Sequence, residues 1–108
     1  REYGLNGDMN EIVRKFFATP GLRNNLINDA MNRAKQSNSA ADKIYVDALT
    51  RIRDNGPDWV AVELARLNEI VSSCTIDTPR ADHYRIKRNI LTKVAELGNI
   101  PMGRGVLL

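Results

Sequence analysis

Side chains able to do covalent chemistry are few in this chain. Cys74 is the only cysteine and His83 the only histidine in 108 residues. A lone cysteine makes no internal disulfide and no Cys-x-x-Cys pair, so dithiol chemistry within the chain is excluded. As a single nucleophile Cys74 would need a nearby positive charge to become a thiolate. It falls instead on the C-terminal side of an expected helix, where the dipole disfavours an anion. A packed structural cysteine is the leading reading, with a mixed disulfide to a client or an upstream domain as the alternative. His83 is suited to general-base work, yet no nucleophile is spaced to partner it. Asp54, Asn55, Gly56 and Asp58 share residue types with a calcium loop but lack its closing glutamate and spacing. With no metal-ligand cluster and no Gly-rich phosphate loop, the expectation is a non-catalytic chain without metal or cofactor.

Binding chemistry is better represented. Arg80, Arg85, Lys87, Arg88 and Lys93 stand against one acid, Asp82, within fourteen residues. On a helix Arg85 and Arg88 share a face, with Arg80 and Lys87 to either side. Such a set is either a solvated flank of a core helix or an electrostatic dock for an acidic partner. Nucleic acid fits less well, because no stacking aromatics are interleaved with the charges. Trp59, the only tryptophan, caps a core or anchors a hydrophobic peptide. Phe16 and Phe17 are adjacent, so one helix cannot point both inward. One belongs to the core and the other to an edge or an apolar patch.

Five helical segments must position these groups. Asp8 is the expected cap of a first helix whose apolar residues, Met9, Ile12, Val13, Phe16 and Phe17, share one face. Thr19-Pro20-Gly21 interrupts it. A second helix is expected from near Pro20 to about Lys35, with Leu22, Leu26, Ile27, Ala30, Met31 and Ala34 as its stripe. Ser39 with Asp42 resembles a capping box for a third, which carries Ile44, Tyr45, Ala48, Leu49 and Ile52 and ends at Asp54-Asn55-Gly56. Pro57 begins a fourth, where Val60, Leu64, Leu67 and Val71 fall at i, i+4, i+7 and i+11. Glu63, Arg66 and Glu69 on another face can pair across three residues. The fifth has its start written in: Thr78 as N-cap, Pro79 at the first helical position and Asp82 near the positive helix end. Ile86, Ile90, Val94 and Leu97 follow at helical spacing, and Gly98 stands where helices stop.

Composition agrees with one domain carrying a modest core. Sixteen basic residues are interspersed with thirteen acidic ones for a net charge of +3, less concentrated than nucleic-acid modules usually are. Charged residues make up 27%, and mean hydropathy is −0.38, unlike a disordered tail or a membrane segment. Nothing alternates with period two over a useful length. The fold class is therefore all-α: a compact bundle of about five helices with short loops.

Thr78-Pro79-Arg80 through Asn89-Ile90-Leu91 also resembles the last helix of the D domain, the C-terminal helical module of the protein disulfide isomerase family. D domains occur in some isomerases and in the redox-inactive, Windbeutel-type chaperones. The resemblance reaches back over roughly Met9 to Leu97. It includes Ile12-Val13-Arg14-Lys15-Phe16-Phe17-Ala18-Thr19-Pro20, the Tyr45 helix ending at Asn55-Gly56, and Glu63-Leu64-Ala65-Arg66-Leu67 after an aromatic helix start. It implies a module that follows a thioredoxin-fold domain in the endoplasmic reticulum lumen. On that reading 1–7 is the end of a linker, 8–98 the D domain and 99–108 an irregular tail. The partners implied are unfolded or secretory clients and, in the redox-inactive chaperones, the acidic tip of the lectin chaperones calnexin and calreticulin. Gly105-Val106-Leu107-Leu108 is not a Lys-Asp-Glu-Leu-like retrieval signal, so the lumenal expectation rests on the resemblance.

The expected function is a non-catalytic interaction module that assists folding or secretion of clients. Its partner-binding candidates are Arg80, Arg85, Lys87, Arg88 and Lys93, with Phe16, Phe17 and Trp59 as possible apolar contacts. Two rivals stand beside it: a small basic domain binding nucleic acid through helix 79–97, and a self-association module burying the Phe16/Phe17 or Trp59 edge.

Overall fold

The structure, a computed structural model, describes residues 4–73 and 79–101. They form five α-helices and no strand: α1 Gly7–Ala18, α2 Arg23–Ser37, α3 Ala40–Asn55, α4 Asp58–Ser73 and α5 Pro79–Leu97. The all-α bundle read from the sequence is the observed one.

Capping chemistry sets the boundaries. Asn6 rather than Asp8 caps α1, its side-chain oxygen accepting from the backbone N–H of Asp8 at 2.9 Å and Met9 at 3.3 Å. Asp8 instead lies in the first turn, where the dipole favours its charge. Pro20 has no N–H to continue α1 and holds Thr19 outside the helical region. A 3-10 turn, Pro20–Leu22, then delays α2 to Arg23, and α2 runs beyond Lys35 to a left-handed Asn38 with φ 50°. Ser39 caps α3 as expected. The Thr78 cap proposed for α5 lies outside the described residues, as does Cys74.

α5 stops before Gly98, as expected, but Gly98 is not its left-handed residue. The left-handed residue is Asn99, with φ 50°. Ile100 N–H donates to Ala95 O at 3.0 Å and Asn99 N–H to Glu96 O at 3.2 Å. That pair of bonds is a Schellman motif, and Ile100, buried beside the core, supplies its apolar contact. Gly98 is required for a different reason. A Cβ there would stand 2.6 Å from the Phe17 ring.

α2 with α3 and α4 with α5 form two helical hairpins. α3 packs against all four other helices, whereas among the described residues α2 touches α1 and α3 but neither α4 nor α5. The core follows from that arrangement. Tyr45, Leu49 and Ile52 of α3 meet Phe16, Met9 and Val13 of α1, Val60 and Leu67 of α4, and Ile90, Leu91 and Val94 of α5, all fully buried. Each large apolar side chain contributes about 2 kcal/mol by leaving water. Met31 and Leu22, expected in the α2 stripe, are 40% and 46% exposed. Leu22 lies in the 3-10 turn, where its side chain no longer follows the helical register of α2.

Candidate functional site

The five cations singled out on α5 do not form one open face. Lys87 turns toward α4 and donates to Glu63 Oε2 at 2.9 Å, with both side chains largely shielded from water. Arg66 grips the same carboxylate with two bonds, Nε to Oε1 at 2.8 Å and Nη2 to Oε2 at 2.7 Å. This fork is the geometry for which guanidinium is suited. The Arg66 hydrogen bonds, aided by Lys87 and opposed by burial, hold the Glu63 carboxyl at a pKa of about 2. The ion pair raises the Arg66 pKa in turn. Lys87 is thus a clamp between α4 and α5.

Arg85 pairs with Asp82 one turn earlier at 3.2 Å, and Lys93 reaches Glu96 at 3.7 Å. Arg80 is exposed and Arg88 half-buried, and neither pairs with a carboxylate among the described residues. Of the five cations, Arg85, Lys87 and Lys93 are thus already engaged by carboxylates of described residues. His83 is exposed, its ring edge-on to Tyr84 at 6.1 Å.

The aromatic candidates separate. Phe16 is fully buried, which withdraws it from the surface. Arg23 covers its ring at 4.5 Å and donates to the Phe16 carbonyl at 3.3 Å. Phe17 is half-buried, edge-on to Phe16 and pressed against Gly98. Trp59 is half-buried against the core, with the Arg51 guanidinium 5.9 Å from its ring.

One constellation was not read from the sequence. Asp42 is 4% exposed, a buried acid in the first turn of α3. Its carboxylate accepts from Ser37 Oγ at 2.6 Å and Asn6 Nδ2 at 3.1 Å. Tyr45, one turn on, donates to Asn10 Oδ1 at 2.7 Å, and its hydroxyl oxygen accepts from the Asn6 backbone N–H at 3.3 Å. The Asp42 side chain thus does not close the capping box on Ser39; it ties α1, α2 and α3 together. A signal existed: Asp42, Tyr45, Leu49 and Ile52 share one face of α3, so the acid lay on the apolar stripe.

A groove of about 490 Å³ lies between α1 and α2, with Ile12 and Leu26 at its floor and Asp8 paired to Arg33 across it at 3.4 Å. Its rim mixes both signs of charge, and nothing in it converges on a reacting atom. Among the described residues no group of three or more His, Cys, Asp or Glu side chains could hold a metal ion. No helix among them is long and apolar enough to cross a membrane.

What the fold and the α5 surface define is a helical domain held by packing, a buried polar knot and the Glu63 clamp between α4 and α5. A family model, that of the endoplasmic reticulum protein ERp29 C-terminal domain, matches residues 4–94. The chain belongs to that family. Searches of curated proteins and of solved structures returned no match.

Proposed function

We propose that the chain is a non-catalytic interaction domain of a chaperone of the endoplasmic reticulum lumen, assisting the folding or export of secreted clients. The family match over residues 4–94 carries this reading. Exposed Arg80 and half-buried Arg88, with Arg85 beside them, would dock an acidic segment of a partner such as the lectin-chaperone tip. Phe17 and Trp59, both half-buried, are the aromatics proposed to meet an apolar client segment.

The test is an NMR titration of the labelled domain with an acidic tip peptide, run in parallel with an unfolded client peptide. Shifts confined to Arg80, Arg85 and Arg88 that collapse with added salt support the acidic dock. Shifts around Phe17 and Trp59 with the client peptide support direct capture. No shift with either peptide sinks both.

A further inference from the structure

Two asparagines in the chain precede glycine, Asn6 and Asn55, and the fold treats them in opposite ways. Asparagine is chemically labile, and a following glycine, lacking Cβ, leaves its backbone nitrogen open to approach. We propose that Asn55 is a site of spontaneous deamidation, whereas Asn6 is protected by its bonding. At Asn55 the Gly56 nitrogen gives its proton to solvent base and attacks Asn55 Cγ. The new C–N bond closes a five-membered succinimide as the bond from Cγ to Nδ2 breaks and Nδ2 leaves as ammonia. One water then opens the ring. Attack at Cγ gives aspartate, and attack at the main-chain carbonyl gives isoaspartate. No oxidant or reductant is involved.

The geometry separates the two sites. Asn55 is exposed at the last position of α3, and its side chain makes no hydrogen bond to a described residue. Gly56 has φ 88°, with nothing within 4 Å of where a Cβ would lie. The bond that must open is Gly56 N–H to Ile52 O at 2.8 Å, a helix-end bond of the kind that frays. At Asn6 the carboxamide is engaged at both ends. Its oxygen accepts from Asp8 and Met9 N–H, its Nδ2 donates to buried Asp42, and its backbone N–H donates to Tyr45 Oη. Freeing it for attack dismantles the α1 cap and part of the polar knot.

Conversion would have a local structural effect. A new carboxylate between Asp54 and Asp58 would sit at the C-terminal end of α3, where the dipole disfavours it. The isoaspartate product would also lengthen the main chain by one methylene just ahead of Trp59.

The experiment holds the chain at mildly alkaline pH for days, with samples digested by trypsin and read by fragment mass spectrometry. In the folded chain, peptide 54–66 gains the mass of amide-to-acid conversion at Asn55 roughly tenfold faster than peptide 2–14 does at Asn6, because several hydrogen bonds guard Asn6. In urea the two sites convert at similar rates, and Asn55→Gln abolishes the signal in 54–66. Equal rates in the folded chain, or no conversion at Asn55 while the urea sample converts at both, would overturn the proposal.

Discussion

The α1–α3 half and the α4–α5 half each join helices through a carboxylate, but with different partners. Asp42 is held by neutral donors, a serine hydroxyl and an asparagine amide, at 4% exposure. Glu63 is held by two cations, Arg66 and Lys87, nearer the surface. A buried acid with neutral donors depends on hydrogen-bond completeness, since a donor left without its acceptor costs its full desolvation. A charge clamp near water depends on salt and pH, since screening and protonation both reach it. The same residue class therefore makes one joint a matter of hydrogen-bond geometry and the other a matter of screened charge.

The largest test of that contrast is Asp42→Ala. It strands the Ser37 hydroxyl and the Asn6 amide and is expected to cost about 3 kcal/mol. Urea unfolding should show that loss unchanged between low and high salt. A loss that shrinks in salt would mean the knot is electrostatic after all. Next comes Gly98→Ala at the seam between α1 and α5. The added methyl meets the Phe17 ring and is expected to cost about 2 kcal/mol by overpacking. A neutral result would show that the ring swings out at no cost.

The smallest effect is Glu63→Gln, expected to cost about 1.5 kcal/mol at neutral pH after allowing for screening. Because folding depresses the Glu63 pKa from 4.5 to about 2, its contribution is complete above pH 4.5 and is lost as pH falls toward 2. The two proteins should therefore differ at pH 6 and converge near pH 2 in parallel chemical denaturation. A gap that persists at pH 2 would assign the effect to packing.

Much of this is legible in the sequence alone. Phe16 with Val13 and Met9, or Leu49 with Tyr45 and Ile52, repeat at helical spacing, and burial followed the repeat. Pro20 and Gly56 marked boundaries because proline's fixed φ and glycine's easy positive φ both act locally. The Glu63–Arg66 pair was legible for the same reason, being one helical turn apart. Lys87 was not, because its partner lies on another helix, and a run of cations reads as a surface until tertiary packing draws one of them to an acid. The cap of α1 is expected at Asp8, whereas Asn6, of a residue type that caps equally well, takes it. The choice was made by Asp42 and Tyr45, more than thirty-five residues away. Gly98 was recognised as a helix stop, yet the close approach of Phe17 that requires it lies outside any local pattern.

The short segment before α1 can be restated in mechanical terms. Gly4, at φ 86°, lies so close to Ile86 of α5 that a Cβ would stand 2.7 Å from Ile86 Cγ2. Leu5 rests on the core, and Asn6 is bonded to α3 through Asp42 and Tyr45. A pull applied at Gly4 is therefore carried sideways into α3 and α5 rather than along α1 alone. Load shared by contacts in parallel makes them yield together, so under tension this end behaves as a rivet, not a hinge.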